Sequence, residues 1–345
     1  MKSEFQLGNI VVVVGNGLSI DLIEKCFHDK FEVDLTNFFK HGSSISVPPK
    51  RDKESFLSDK YLPFLWSYGA RSDLTKEKSD EIFETLITLV SIWFGRRREI
   101  SEPIPDFIYA YQELLYFIRY KMIYYYEMAK EKINYGIWPW VNFLKHVSKE
   151  TQVTIVTYNY DIWLEEALEH TGIPFYRTSL KEDNNKNHMP IIKPHGSIDL
   201  RQDVRISKRE FPLGKQLIIA NASNKTLEIP KHDLHEVFPQ VDLIPPSASA
   251  MDVYQSPMMF TWWCNEHDKV IKACSSATHV IFLGLSYNYW DRSELNSVIS
   301  ALSSTAKIHL VNPSPPKVMQ NILASLFPNS ELSSTVEDFV SKWKL

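Results

Sequence analysis

Short runs of consecutive apolar residues, many of them β-branched, punctuate this chain and predict strands. The predicted strands that contain these runs are 9–14, 152–157, 191–193, 278–283 and 307–311. Continuous runs of this kind are typical of parallel strands that are buried on both faces. Segments with apolar residues at helical spacing separate them, namely 161–170, 258–275, 291–302 and 315–326. This strand and helix order implies right-handed crossovers. The pattern therefore predicts an α/β fold with a Rossmann-like parallel sheet and helices on both faces.

The pattern changes between residues 34 and 149, where polar, proline-broken sequence precedes long helical segments. Helices are predicted over 81–94, over 106–133 and from Pro139 onward. The helix over 106–133 is dense in aromatic residues: Phe107, Tyr109, Tyr111, Tyr116, Phe117, Tyr120, Tyr124, Tyr125 and Tyr126. Aromatic faces this broad indicate either packing on two sides or a contact with another protein. We expect an inserted aromatic-rich α-helical module here.

Polar motifs follow the predicted strands. They are Gly15-Asn16-Gly17-Leu18-Ser19, Thr157-Tyr158-Asn159-Tyr160-Asp161, Lys193-Pro194-His195-Gly196-Ser197, Gly284-Leu285-Ser286 and Asn312-Pro313. Parallel strands end at one edge of a sheet, where ligands bind in open α/β folds. Asn159 and Asp161 offer two polar orienting groups, and His195 offers a side chain that titrates near neutrality. We expect the active site at this edge.

The first glycine loop has two interpretations. Two glycines allow a phosphate to approach the backbone N–H groups at the start of a helix, but a tight strand-to-helix turn explains them equally well. Ile20 stands where a dehydrogenase fingerprint has its third glycine. The loop alone therefore does not establish nucleotide binding.

Composition narrows the class of protein. The 345 residues include 38 basic and 42 acidic side chains, a balance that does not indicate a nucleic-acid surface. The three cysteines, at 26, 264 and 274, form no Cys-x-x-Cys pair, so a four-thiolate zinc site is not expected and no metal is assigned. We expect a cytoplasmic protein, with no export signal and no membrane anchor.

In their order and on their strand ends, these motifs resemble those of the sirtuin superfamily, and most of all its bacterial anti-phage branch, whose sirtuin-like domains cleave NAD. The resemblance implies that Gly15, Gly17 and Ser19 cradle the pyrophosphate. It places Asn159 and Asp161 in the nicotinamide-ribose pocket and His195 at the ribose hydroxyls. Gly284, Ser286 and Asn312 would hold the adenosine half. Asn16 and Gly196, which lie within these motifs, complete the predicted NAD-binding set.

The chain departs from the deacylases of that family in three places. It lacks the two Cys-x-x-Cys pairs of their zinc ribbon, which makes deacylation of acyl-lysine unexpected. Asp21-Leu22-Ile23-Glu24 replaces their Gly-Ile-Pro-x-Phe-Arg segment, and Asn16 replaces the usual Ala in the first loop. That loop also resembles the Gly-Asn-Gly-Phe-Asp start of bacterial abortive-infection proteins.

The expected domains follow from these motifs. Residues 1–33 and 150–345 would form the nucleotide-binding domain, with an irregular insertion over 199–257, and 34–149 the helical insertion. The predicted function is hydrolysis of NAD, as a substrate, to nicotinamide and ADP-ribose in anti-phage defence. The alternatives are a sensor that binds NAD or an ADP-ribose derivative without turnover, and a transferase. We expect a homo-oligomer, assembled through the aromatic helices, with a second defence protein as a possible sensor or activator.

Overall fold

The computed structural model describes residues 8–29, 32–48, 54–95, 102–181, 183, 185, 187–203, 210–215, 225–236, 243 and 257–343. The chain forms two compact units. The first, here the sheet unit, comprises residues 1–30, 132–194 and 263–345. The second, here the helix unit, comprises residues 31–131 and 195–262.

The strands are short and mostly buried. They are β1 (Ile10–Val14), β2 (Val153–Thr157), β3 (Phe175–Arg177), β4 (Met189–Ile192), β5 (Leu200–Gln202), β6 (Thr226–Glu228), β7 (His279–Leu283), β8 (Lys307–Val311) and β9 (Glu331–Ser333). All except β5 and β6 belong to one seven-stranded sheet in the order β3-β4-β2-β1-β7-β8-β9. Its paired strands all run parallel.

Strand β1 lies at the centre of this sheet because all five of its residues are apolar and buried. Its last residue, Val14, lies beside Thr157 of β2 and Leu283 of β7. Leu283 in turn lies beside Val311 of β8. Four strands thus end in register, and the polar motifs that follow them begin at the same edge of the sheet.

The helices lie between and beside these strands in the chain. They are α1 (Gly17–Cys26), α2 (Pro63–Ser67), α3 (Lys76–Gly95), α4 (Asp106–Ala129), α5 (Pro139–Glu150), α6 (Trp163–Thr171), α7 (Pro257–Ser275), α8 (Arg292–Ala301), α9 (Lys317–Leu326) and α10 (Val336–Lys342). A parallel sheet flanked by helices is a Rossmann-like α/β architecture, which confirms the predicted fold class.

Two strands and one helix of the sheet unit were not predicted. Strands β3 and β9 are three residues long and form the two edges of the sheet. Helix α10 begins after Thr335, whose side chain accepts a hydrogen bond from the Asp338 backbone N–H. Such a cap is a recognisable start signal, since Thr followed three residues later by an acidic residue is typical of a helix N-terminus.

The helix unit is centred on α4. Most aromatic side chains of α4 are buried, among them Tyr109, Tyr111, Tyr116, Phe117, Tyr120, Tyr125 and Tyr126. Phe211 packs edge-on against Tyr116 and against Phe56, which is itself fully buried. These aromatics are therefore core residues, and the surface on which the self-assembly hypothesis rested is not available on them. The helix also ends at Ala129 rather than at residue 133.

The units differ from the expected domains in three places. Residues 132–149, assigned to the helical insertion from the sequence, lie in the sheet unit, whereas residues 31–33 and 195–262, assigned to the nucleotide-binding domain, lie in the helix unit. Within the expected insertion over 199–257, β5 and β6 pair antiparallel, and much of the rest lies outside the described residues. The division into a nucleotide-binding domain and a helical insertion stays a prediction. Among the described helices, none is long and apolar enough to cross a membrane.

Candidate functional site

The turns after β1 and β7 touch through their backbones. Gly15 N–H donates to the Leu283 carbonyl at 3.0 Å, and Gly17 N–H donates to the Gly284 carbonyl at 3.0 Å. A Cβ on Gly17 would lie 2.5 Å from the Gly284 Cα, and Gly284 has a φ of +59°. Glycine is therefore required at both positions for packing alone. Any phosphate-binding role of Gly15, Asn16 and Gly17 is additional to this contact.

Three polar side chains from two motifs form a hydrogen-bonded chain at this edge of the sheet. The Ser19 hydroxyl, in the first turn of α1, donates to Asp161 Oδ2 at 2.7 Å. The Asn159 amide donates to the Ser19 oxygen at 3.0 Å. All three side chains are buried. The glycine loop and the Asn-x-Asp motif, which follow adjacent strands, are thus joined directly.

Asp161 accepts hydrogen bonds at both carboxylate oxygens. Its Oδ1 accepts the backbone N–H of Trp163, the first residue of α6, at 3.2 Å. Burial raises the pKa of Asp161 above its usual range, and the positive charge of Lys193 and the Ser19 hydroxyl only partly offset that effect. The carboxylate is therefore held in place by the protein itself.

A buried ion pair that was not predicted from the sequence adjoins this cluster. The Lys193 ammonium, which follows β4, contacts Glu165 Oε1 at 2.8 Å, and both side chains are less than a tenth exposed. The same ammonium donates to the backbone carbonyl of Asp161 at 2.6 Å. The buried cation thus contacts one carboxylate, that of Glu165, and the backbone of the residue that carries the other, Asp161. The signal was present in the sequence, because a lysine directly after the buried Ile191-Ile192 strand must find a buried partner.

The motifs after β7 and β8 are linked to each other. The Asn312 amide donates to the Leu285 carbonyl at 3.0 Å, and its Oδ1 accepts from Ser314 N–H at 2.9 Å. The Ser286 hydroxyl donates to Asp291 Oδ2 at 3.2 Å. Asn312 therefore shapes the turn that carries Gly284 and Ser286, the residues predicted to hold the adenosine half of NAD.

His195 and Gly196 belong to the helix unit. His195 is buried, and it follows the last residue of β4 by three positions. Gly196 has a φ of +78°, a conformation that favours glycine, and it forms an isolated antiparallel bridge with Leu243. The structure thus brings Ser19, Asn159 and Asp161 together in the sheet unit, and it places His195 and Gly196 in the other unit.

The architecture and these motifs agree with a comparison against known families. The family model described as "SIR2-like domain" matches residues 153–327. The chain belongs to the SIR2-like family. The match includes Asn159, Asp161, His195, Gly284 and Asn312, and it begins after the first glycine loop. The assignment of Gly15, Asn16, Gly17 and Ser19 in this SIR2-like protein therefore rests on the loop's own resemblance and geometry.

Solved Sir2 structures share part of this architecture. One is a Sir2 in complex with the inhibitor EX-527, 2'-O-acetyl-ADP-ribose and deacetylated p53 peptide, with 13% identity and a TM-score of 0.37 over 97% of this chain and 91% of that chain. A second, described under the mechanism and regulation of Sir2 enzymes, has 11% identity and a TM-score of 0.36 over 97% and 90%. A third, Sir2 with p53 peptide and NAD+, has 11% identity and a TM-score of 0.31 over 97% and 90%. No curated protein matches the sequence.

Proposed function

We propose that this SIR2-like protein hydrolyses the bond between nicotinamide and ribose in NAD. The observation that carries the proposal is the buried Ser19–Asn159–Asp161 chain, which lies where the strands of a Rossmann-like sheet end. Membership of the SIR2-like family supports NAD as the substrate, because NAD is the ligand that the resemblance of the motifs to sirtuins implies.

The bond itself suits a site that has few catalytic groups. The pyridinium nitrogen of NAD leaves as neutral nicotinamide and needs no general acid. Water supplies the oxygen that the ribose carbon gains, and a proton is released. The protein must therefore position the ribose and stabilise its oxocarbenium-like transition state, as in glycoside hydrolysis.

The polar residues receive the following roles. His195 accepts or polarises the proton of a ribose hydroxyl, because an imidazole titrates near neutral pH. Asn159 orients the ribose and the attacking water. Its amide N–H₂ is directed by Ser19, so that the amide is held in one orientation before substrate arrives. Gly15, Asn16, Gly17, Gly196, Gly284, Ser286 and Asn312 complete the proposed NAD-binding set.

Asp161 has two conceivable roles, and the geometry favours one. One is to hold the nicotinamide carboxamide, and the other is to add negative charge beside the developing cation. Because both of its oxygens already accept hydrogen bonds from Ser19 and Trp163, we assign it the electrostatic role. The raised pKa of Asp161 then predicts that activity falls on acidification, as this carboxylate takes up a proton.

The test is nicotinamide release from NAD, followed by chromatography, for the wild type and two variants. His195→Ala and Asn159→Ala should each lower the rate on the order of 100-fold or more, the usual scale for a positioned acid-base group. The control is His279→Ala, which removes another histidine, at the start of β7 and hence far from the carboxyl ends of the strands. This control should release nicotinamide at the wild-type rate.

The outcomes separate the classes of function. Full activity in His195→Ala and Asn159→Ala would show that neither residue takes part in the hydrolysis. Binding of NAD without turnover, measured by calorimetry, would favour the sensor. Transfer of labelled ADP-ribose to a protein acceptor would favour the transferase.

We infer that NAD depletion by this protein serves anti-phage defence, the role that the resemblance implies. An NAD hydrolase that is always active would harm its own cell, so the proposal includes a resting state and a second defence protein as sensor or activator. It also includes a homo-oligomer, whose interface does not use the buried aromatic side chains of α4. Phage challenge of cells carrying wild type or His195→Ala, with NAD measured over time, tests it. Equal survival and equal NAD in both cultures would contradict the defence role.

A further inference from the structure

Arg119 lies within α4, among the aromatic residues, and its side chain is fully buried. A buried guanidinium is costly unless its donors are used. Here they bind backbone carbonyls: Nε donates to Ile198 at 3.1 Å, Nη2 to Leu234 at 3.0 Å and Nη1 to Glu236 at 3.4 Å. One side chain therefore ties two separate irregular segments of the helix unit to one helix.

The first of these segments is the His195 loop, residues 195–199. Ile198, which accepts the Arg119 Nε bond, is fully buried and lies three residues after His195. Gly196 is bridged to Leu243, and the Asp199 carbonyl accepts from Ile229 N–H at 2.7 Å. The loop is thus fixed both by its backbone contacts with Leu243 and Ile229 and by the Arg119 guanidinium.

The choice of arginine at this place has a physical reason. Carbonyls in a buried loop must find donors, because an unsatisfied backbone group costs free energy comparable to a lost hydrogen bond. A guanidinium offers five donors in a rigid planar fork, so it can satisfy several carbonyls and fix their relative positions at once. A lysine ammonium keeps the charge but lacks that fork.

We propose that Arg119 is a positioning residue, which holds the backbone behind His195 and thereby sets the place of the imidazole at the NAD ribose. The kinetic part of this inference rests on the proposed function. Through Arg119, helix α4 contributes to the reaction by buried contacts within the helix unit. Displacing a catalytic group by about 1 Å costs on the order of 100-fold in rate.

The test compares Arg119→Lys with a matched control, Tyr120→Phe. The Tyr120 hydroxyl donates to the Glu236 carbonyl at 2.9 Å, an acceptor that it shares with Arg119. Tyr120→Phe therefore loosens the 234–236 segment and leaves the bond from Arg119 to Ile198 in place. Arg119→Lys should lower kcat for NAD about 10- to 100-fold and leave KM within about twofold, whereas Tyr120→Phe should change neither.

A second readout does not depend on activity. The ring resonances of His195, assigned by their loss in His195→Gln, should move in Arg119→Lys and stay in place in Tyr120→Phe. If the wild type releases no nicotinamide even with its cellular partners present, the proposed function fails, but the His195 resonances still decide whether Arg119 positions that ring.

Several results would overturn the inference. Equal losses of kcat in the two variants would assign the effect to the 234–236 segment. A folded Arg119→Lys protein with unchanged His195 resonances would show that the loop keeps its place without the fork. If Arg119→Lys does not fold, Arg119→Gln, which keeps an amide donor, replaces it, and failure of both to fold would reduce Arg119 to a general stabilising residue.

Discussion

Ionisable side chains are buried in both units of this protein, but they are satisfied in different ways. In the sheet unit, Lys193 pairs with Glu165 and also binds the backbone of Asp161. On α4 of the helix unit, Glu113, Arg119 and Lys121 each bind backbone groups of neighbouring segments. An ion pair concentrates an electric field at one place, whereas buried ionisable side chains that bind backbone groups hold neighbouring segments in position. The buried ion pair of the sheet unit can therefore influence charge at the site, whereas the buried ionisable side chains of the helix unit have a structural role.

The strongest test of that distinction replaces one buried lysine by methionine in each unit, Lys193 in the sheet unit and Lys121 in the helix unit. Lys193→Met would leave Glu165 and Asp161 buried near each other without a cation. Breaking a buried pair from one side costs about 3–5 kcal/mol. We expect a loss of that size in the free energy of unfolding, measured by urea denaturation at neutral pH.

The double variant Lys193→Met/Glu165→Leu is the matched control. It removes one carboxylate together with the cation, so its loss should be smaller than that of Lys193→Met alone. If the separate losses of Lys193→Met and Glu165→Leu add up to the loss of the double variant, the two side chains are not coupled. That result would contradict the distinction between the two units.

Lys121→Met should cost less, because it leaves a backbone carbonyl rather than a carboxylate. Lys121 is buried, and its ammonium donates to the Asn37 carbonyl. Losing that donor should cost about 1–3 kcal/mol. Lys78→Met, at an exposed position on α3, is the control and should stay within about 0.5 kcal/mol of wild type. If Lys121→Met destabilised as much as Lys193→Met, the two regions would not differ.

Because the Glu113 carboxyl group is buried on α4, we expect the free energy of unfolding to depend on pH. Its Oε2 accepts the Leu65 backbone N–H at 2.8 Å, and burial raises the pKa of Glu113 to about 8, well above the usual 4.5. A folded-state pKa raised in this way gives stability that is complete below pH 4.5 and is lost as the pH rises through about 8.

Glu113→Gln should remove that dependence. From about pH 5 to about pH 8, the wild type should lose up to about 1.4 kcal/mol of unfolding free energy per pH unit relative to Glu113→Gln. Glu84→Gln, at an exposed position of α3, should follow the wild type. Parallel pH profiles for wild type and Glu113→Gln would contradict the raised pKa.

The central strands could be predicted from the sequence because local pattern determines them. The run Val11-Val12-Val13-Val14 has no polar face, so a strand buried on both sides is its natural structure. The motifs after the strands could also be placed, since parallel strands end at one edge. Strands β3 and β9 could not, because three-residue edge strands depend on the neighbour to which they pair.

The partners of buried charges were the part that the sequence did not reveal. Pairing of Lys193 with Glu165 spans 28 positions, and Arg119 reaches carbonyls 79 or more positions away. A charge within an otherwise apolar helix shows that a partner must exist, but its identity is set by tertiary packing. The burial of the aromatic side chains of α4 has the same origin, since a helix surrounded on most sides needs no solvated face.

The most direct test of the central claim is mass spectrometry of the products formed from NAD in water enriched in the heavy oxygen isotope. The account predicts free nicotinamide and ADP-ribose in equal amounts, with one heavy oxygen atom in each ADP-ribose, and it predicts loss of both products in Asn159→Ala. Intact NAD in the presence of folded protein and its cellular partners, or ADP-ribose found on an acceptor without the heavy isotope, would contradict it.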